Sequence, residues 1–168
     1  MRRSRPDEDG PVLDQRGGNL ALDLFVLDQH LGQLVDAALQ PTGLTGALYA
    51  VYSQLAARSQ TPGQLTESLG VRPTTLSGYL STMERRGHLS RVRHESDGRS
   101  RVLVLTPEGR RQWADARPHF RRAIQDLDRR IGDAADVDAL RRQLGRLDTA
   151  IRAATQTVAE ESQRRSTS

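Results

Sequence analysis

The segment Ser96–Gly109, SDGRSRVLVLTPEG, decides the fold because it joins a turn, a strand and the start of a helix. Its first half is a charged reversal built on Asp-Gly, and the apolar run at 101–105 has the composition of a β-strand. An earlier run at 88–93 is also compatible with β-structure, so the two runs predict a hairpin. Thr106 then caps a new helix, because proline and glutamate follow it and both are favoured in a first helical turn.

Two short helices precede this hairpin. The stretch Thr61-Pro62-Gly63-Gln64 has the pattern of a capped helix start, and Gly70 ends that helix. The next helix opens at Pro73 and closes at Gly87, and its apolar stripe leaves small hydroxyl side chains on the other faces. Two short helices joined by a tight turn and followed by a hairpin predict a winged helix-turn-helix.

Longer helices are predicted on both sides of this motif. Apolar residues recur with alternating spacings of four and three in 20–38 and again in 140–158, which is a coiled-coil type of seam. The helix after Thr106 contains Pro118, which is expected to kink or split it. Neither seam can be covered completely by a small central domain, so we expect them to pack together across a two-fold axis.

The predicted fold class is therefore mainly α with a small β wing (α+β), a winged helix-turn-helix domain flanked by N- and C-terminal dimerisation helices. The expected segments follow the helix stops and polar ends of the sequence. They are a flexible N-terminal arm at 1–18, a dimerisation helix at 19–40, the winged helix-turn-helix DNA-binding domain at 44–106, C-terminal dimerisation helices at 107–159 and a flexible tail at 160–168.

Composition and charge narrow the function. The 168 residues suffice for one well-packed domain but not for two catalytic ones. The segment 58–101 holds eight arginines and four carboxylates, which indicates a polyanion, nucleic acid before membrane, although a solvated charged face is the alternative. There is no cysteine, no signal peptide and no membrane-length apolar run, so a cytoplasmic protein is expected. The four histidines lack ligand spacing and no catalytic motif is found, so we expect no metal, no cofactor and no enzyme activity.

Two motifs carry a resemblance to a known family. They are Asp97-Gly98-Arg99 with the following Leu-Thr-Pro-Glu-Gly at 105–109, and Met-Glu-Arg-Arg-Gly at 83–87. The chain resembles the MarR family, the multiple antibiotic resistance regulators, in the order and spacing of its helices over 20–158. The resemblance implies a homodimeric repressor that binds a pseudo-palindromic operator in double-stranded DNA and is released by a small-molecule effector. The alternative is a winged-helix protein-interaction module without sequence-specific DNA binding.

The resemblance also implies roles for individual residues. Arg99 at the wing tip would enter a minor groove, unless it pairs with Asp97 and only orders the turn. Gly78 departs from the family, because a larger polar residue often occupies that position. The expected DNA-binding residues are Thr61, Pro73, Thr74, Thr75, Ser77, Gly78, Ser81, Arg85, Arg86, Arg91, Arg93, Asp97, Arg99 and Arg101.

Two of these assignments, and some of the further candidates, have structural alternatives. Arg85 and Arg86 would instead pair with Glu84 or interact with the helix dipole. Tyr79 is a further candidate base reader, for which partly buried packing is the favoured interpretation. An effector cleft would be lined by His30, Tyr49, Tyr52, Trp113 and Arg117, with ordinary core packing as the favoured alternative for Tyr52 and Trp113.

Overall fold

The computed structural model describes residues 18–93 and 101–166. By contact density the chain divides into two compact units, one reaching to Ala123 and one starting at Ile124. The predicted class, mainly helical with a small antiparallel hairpin, is confirmed. The elements are α1 (Leu20–Leu39), a short 3-10 turn (Gln40–Thr42), α2 (Gly46–Ala57), α3 (Pro62–Leu69), α4 (Pro73–Arg85), β1 (Leu89–Arg93), β2 (Arg101–Leu105), α5 (Pro107–Ile131) and α6 (Ala134–Ser166).

The helix ends follow local sequence chemistry. The Thr61 hydroxyl accepts the backbone N–H of Gln64 at 3.3 Å, and the Gln64 side chain accepts the N–H of Thr61 at 2.9 Å, so the predicted capping box is confirmed. Gly70 ends α3 with φ +65°, a left-handed conformation that favours glycine. Thr106 caps α5 as expected, because its hydroxyl oxygen accepts the N–H of Gly109 at 3.1 Å.

The core of the first unit is built from one face of each short helix and of the hairpin. α2 contributes more of it than any other element, because five of its twelve residues are buried, and Leu65 of α3 is fully buried. Burial of this apolar surface fixes α3 against α2 and α4, and α4 against β1. The buried apolar side chains are Val35, Leu39, Leu44, Leu48, Tyr49, Val51, Tyr52, Leu55, Leu65, Leu76, Leu80, Met83, Leu89, Val102, Leu103, Leu105 and Ala116.

The hairpin is attached to the helices by a short third strand segment. β1 and β2 are antiparallel, with Leu89 opposite Leu105 at one end and Arg93 opposite Arg101 at the other. Gln60 forms a bridge to Leu103 through two backbone hydrogen bonds of 3.3 and 2.8 Å. This bridge, which joins the start of α3 to the wing, was not predicted from composition or spacing.

Two expectations about the C-terminal helices differ from the structure. α5 is not split at Pro118, whose ring lies on the exposed side of a continuous helix. α6 continues to Ser166 instead of ending at 159, and the hydroxyls of Ser162 and Ser166 donate to carbonyls four residues earlier in it. The expected arm lies, apart from Gly18, outside the described residues, as does the end of the expected tail at 167–168.

Candidate nucleic-acid interface

Helix α4 has an apolar face, which is buried in the core, and a polar face, which is exposed to solvent. Leu76, Leu80 and Met83 are 1%, 4% and 0% exposed, so the predicted buried stripe is confirmed. Tyr79 is partly buried, which agrees with packing. The remaining faces present small side chains to solvent, and the expected site residues there are all exposed: Pro73, Thr74, Thr75, Ser77, Gly78 and Ser81.

The middle of this polar face carries no side chain. A Cβ atom built on Gly78 meets nothing within 4 Å, so the backbone is open to solvent at that point. Thr82 donates its hydroxyl to the Gly78 carbonyl at 3.0 Å, which satisfies the backbone oxygen locally. The helix therefore offers hydroxyl groups on both sides of a gap.

Three arginines lie at the end of α4 and on the neighbouring strand. Arg85 donates to the Thr82 hydroxyl at 3.2 Å, and Arg86 is exposed at the helix C-terminus. The expected pair of Glu84 with Arg85 or Arg86 is wrong, because Glu84 is bound to Arg91 of β1 at 2.7 Å. Strand β1 passes beside the end of α4, which explains why the nearest cation in space comes from the strand.

The wing itself is described only at its base. The side chain of Arg101 is exposed at the start of β2. In the register of the hairpin, the backbone of Arg93 lies opposite that of Arg101. The side chain of Arg93, and Asp97 and Arg99 entirely, lie outside the described residues. Their assignment to DNA stays a prediction.

A small cavity of about 240 Å³ lies between α3, α4 and β1. Thr61, at the start of α3, is partly buried and uses its hydroxyl oxygen for the helix cap, which leaves the hydroxyl proton available for donation. The cavity adjoins the polar face of α4, because Pro73 and Ser77 of that face line it. Its lining residues are Pro62, Gly63, Thr66, Pro73, Leu76, Ser77, Leu80 and Arg91.

Tyr52 is packed in the core, which agrees with the alternative favoured for it from the sequence. It is 0% exposed, and its hydroxyl oxygen lies 2.7 Å from Nδ1 of His88. Burial raises the pKa of the Tyr52 hydroxyl, and the nearby Arg86 guanidinium opposes this rise. Burial also lowers the pKa of the His88 ring, which the Arg86 charge lowers further and the Glu108 carboxylate raises. The pair links α2 to the chain between α4 and β1.

Three of the other four expected effector residues make packing contacts in the first unit. Trp113 donates its Nε1–H to the Ser53 hydroxyl at 3.3 Å, and Arg117 lies over the Trp113 ring at 5.4 Å. The ring of Tyr49 contacts that of Phe120 at 4.6 Å between centroids. His30 is exposed on α1 and joins none of these contacts.

A larger groove of about 570 Å³ lies along α1 and the start of α2. None of the five expected effector residues lines it, so the structure does not bring them together there. Phe120 lines it and was missed, although it follows Trp113 by seven residues and so falls on the same side of α5. The lining residues are Asp28, Gln29, Leu31, Gly32, Gln33, Val35, Asp36, Thr45, Gly46, Ala47, Ala50 and Phe120.

Within 18–93 and 101–166, no group of three or more His, Cys, Asp or Glu side chains is placed to hold a metal ion. No helix among these residues has the length and apolar character that crossing a bilayer requires.

A two-helix motif with a hairpin beside its second helix defines the winged helix-turn-helix class of proteins. The model of the MarR family matches residues 42–100, which run from the turn before α2 into the wing. This chain therefore contains a winged helix-turn-helix, and its residues 42–100 are similar to the MarR family.

Among curated proteins, the chain is similar to the transcriptional activatory protein BadR of Rhodopseudomonas palustris. The two are 36% identical over 80 residues, which are 45% of this chain and 46% of BadR. The matched stretch thus spans less than half the length of that relative.

Solved structures extend the likeness over most of the chain. The Mycobacterium tuberculosis regulator MosR in complex with DNA has a TM-score of 0.70 at 26% identity, covering 81% of this chain and 98% of MosR. The repressor CouR bound to a 23-mer DNA duplex has a TM-score of 0.69 at 26% identity, with 77% and 92% covered. Apo MarR from E. coli shares the fold at a TM-score of 0.62 and 21% identity, with 77% and 96% covered.

Proposed function

We propose that this protein is a sequence-specific DNA-binding transcriptional regulator in which α4 enters the major groove of a duplex. The observation that carries the proposal is the exposed face of α4, where small hydroxyl side chains lie beside the arginines of its C-terminus and of β1. Hydroxyl groups contact base edges and phosphates, and guanidinium groups bind phosphates. MosR and CouR, which share this fold, have been solved with DNA.

The alternative partner, a protein groove, fits this face less well. Hot spots of protein interfaces are rich in tryptophan, tyrosine and arginine that are buried in pockets. On α4 the large apolar side chains are already buried in the chain's own core, and Tyr79 is partly buried. What remains on the surface is polar and small, which suits a phosphate-lined groove.

We further propose that the protein acts as a homodimer. α1 exposes Leu20, Leu27 and Leu31 at 59%, 47% and 47%, and α6 exposes Leu140, Leu144 and Ile151 at 44%, 49% and 47%. These residues lie on seams with coiled-coil spacing, which are stable when a partner helix covers them. A second copy of this chain supplies the same seams, and two-fold symmetry is the commonest arrangement of soluble oligomers.

A dimer of this class imposes a spacing on its DNA. Two symmetry-related recognition helices reach half-sites about one helical turn apart, so we expect a pseudo-palindrome. Sequencing genomic fragments retained by the purified protein, followed by footprinting, will identify it. Inserting about five base pairs between the half-sites turns them to opposite sides of the duplex and should abolish the footprint. A footprint that survives the insertion would contradict the dimeric mode of binding.

The proposed function also includes repression of transcription and release of the DNA by a small molecule. A dimer that covers a promoter excludes polymerase, so we propose repression, which transcription in vitro from the retained fragments will test. A small molecule that binds the groove along α1 and α2 would release the DNA. CouR, a structural relative, has been solved with p-coumaroyl-CoA. The groove here offers an apolar wall of Leu31, Val35 and Phe120.

The effector proposal is tested by DNA release. A panel of aromatic acids and their CoA thioesters should contain a compound that lowers operator affinity. Ala50 lines the groove, and Ala50→Trp should fill it and remove the response while DNA binding persists. If the panel acts equally on Ala50→Trp, or if no compound releases the DNA, release through this groove is wrong.

A further inference from the structure

We propose that Glu84 is a positioning residue for DNA recognition, because its carboxylate holds the Arg91 guanidinium beside the exposed face of α4. This inference rests on the proposed DNA-binding function. The Nε–H of Arg91 donates to Oε1 of Glu84 at 2.7 Å. A carboxylate would otherwise be unfavourable on a surface that meets a polyanion, since its charge repels phosphates.

The pair joins two elements whose backbones are fixed. Glu84 is in the last turn of α4, next to the fully buried Met83, and Arg91 lies on β1, which begins at the buried Leu89. Between them the N–H of His88 donates to the Met83 carbonyl at 2.9 Å, which closes the helix end. The ion pair therefore spans a corner that has little freedom to open.

The donors of Arg91 are divided between the protein and the solvent. A guanidinium has five N–H groups in a planar fork, of which Glu84 takes the Nε–H. Within 18–93 and 101–166, the terminal nitrogens of Arg91 have no hydrogen-bond partner. Their four N–H groups remain in the geometry that binds two oxygens of one phosphate.

The location of Arg91 connects it to the recognition surface. Its side chain lines the same cavity as Pro73 and Ser77, two residues of the exposed face of α4. Arg85, by comparison, donates to Thr82 of its own helix. Arg91 is therefore the arginine that a carboxylate orients at the border of this face, and loss of that carboxylate should affect operator binding more than general DNA binding.

Glu67 provides a matched control, because it is exposed on α3 and shows no ion pair among the described residues. Glu84→Gln and Glu67→Gln each remove one negative charge, so both should raise affinity for an unrelated duplex about twofold. Only Glu84→Gln should lower the ratio of operator to unrelated affinity, by about threefold, the size expected for a half-exposed pair. Fluorescence anisotropy with both duplexes measures the ratio, and the melting temperature reports folding.

The Arg91→Ala background separates positioning from charge. There, Glu84→Gln should no longer change the ratio, because the group that it positions is absent. Equal ratios for Glu84→Gln and Glu67→Gln, or an effect that persists with Arg91→Ala, would overturn the inference while leaving the proposed function intact. Failure of the wild-type protein to bind any duplex would overturn the proposed function itself.

Discussion

Helices α4 and α6 are both amphipathic, but they differ in where their apolar faces go. α4 buries Leu76, Leu80 and Met83 in the core of its own unit, so its polar face is the surface that remains for a ligand. None of the 33 residues of α6 is buried, and its apolar seam stays exposed. The same amphipathic pattern thus leaves a polar surface exposed on α4 and an apolar face exposed on α6. The difference depends on whether the helix's own unit covers its apolar face.

The largest expected effect comes from charging the seam of α6. The double variant Leu144→Glu with Ile151→Glu should give monomers, because carboxylates would have to be buried in the dimer interface. Operator affinity should fall at least about a hundredfold, since one half-site is lost from each complex. Sedimentation at micromolar concentration and anisotropy measure the two effects.

Gln156 provides the control for this variant, because it is exposed on α6 away from the seam. Gln156→Glu should leave both the dimer and DNA binding unchanged. A wild-type protein that sediments as a monomer would show that the exposed face of α6 does not mediate dimerisation.

The same substitution of leucine by alanine should have different effects in α4 and α6. Leu76→Ala removes a side chain that is 1% exposed and should lower the free energy of unfolding by about 2–5 kcal/mol. Leu144→Ala removes one that is 49% exposed in the single chain, so its cost should appear as weaker dimerisation. Melting followed over a range of protein concentrations distinguishes these results. A Leu76→Ala protein with wild-type stability would contradict the core assigned to α4.

Replacing either of two glycines by alanine should change the free energy of unfolding, with opposite signs. A Cβ on Gly109 would collide with the carbonyl oxygen of His88, so Gly109→Ala should cost about 1–3 kcal/mol. A Cβ on Gly78 meets nothing, so Gly78→Ala should stabilise α4 by about 1 kcal/mol through helix propensity. Chemical denaturation measures both, and equal changes in the two variants would contradict the packing of α5 against His88.

The smallest effect concerns pH and the hydrogen bond beneath the end of α4. The folded-state pKa of His88 is lowered by burial and by Arg86, despite the opposing Glu108, so the unfolded chain binds more protons near the ordinary value of about 6.5. The stability that His88 contributes is complete above that pH and is lost as the pH falls through the folded-state pKa. His88→Gln should therefore reduce the loss of Tm on acidification from about pH 7 to pH 5, by about a degree. An unchanged pH dependence would rule out His88 as the cause.

The parts of the fold that the sequence predicted depend on short-range chemistry. The caps at Thr61 and Thr106 act within three residues, and the stripe of α4 follows from helical periodicity. The bond from Tyr52 to His88 spans 36 positions, and the pair of Glu84 with Arg91 requires strand β1 to pass beside a helix end. Such contacts depend on how elements pack, so neither composition nor spacing shows them.

In the candidate site, too, the features that follow from helical periodicity were predicted and those that depend on packing were not. The expected site residues of α4 are exposed, because a helix with one buried stripe must expose its other faces: Pro73, Thr74, Thr75, Ser77, Gly78 and Ser81. None of the five expected effector residues lines the groove along α1 and α2, and Tyr52 is buried in the core, where an aromatic side chain gains most from burial. The role of Arg99 stays a prediction, to be tested together with that of Ser77.

The most direct test of duplex binding through α4 and the wing is the salt dependence of operator affinity for the wild type, Arg99→Ala and Ser77→Ala. Wild-type affinity should fall steeply with salt, because bound arginines release counterions. Arg99→Ala should lower the logarithmic slope by roughly one unit, whereas Ser77→Ala should keep the slope and lose about 1 kcal/mol at its own base pair. Wild-type binding that is absent or independent of salt would contradict DNA recognition. An unchanged slope for Arg99→Ala would remove the wing tip from the interface.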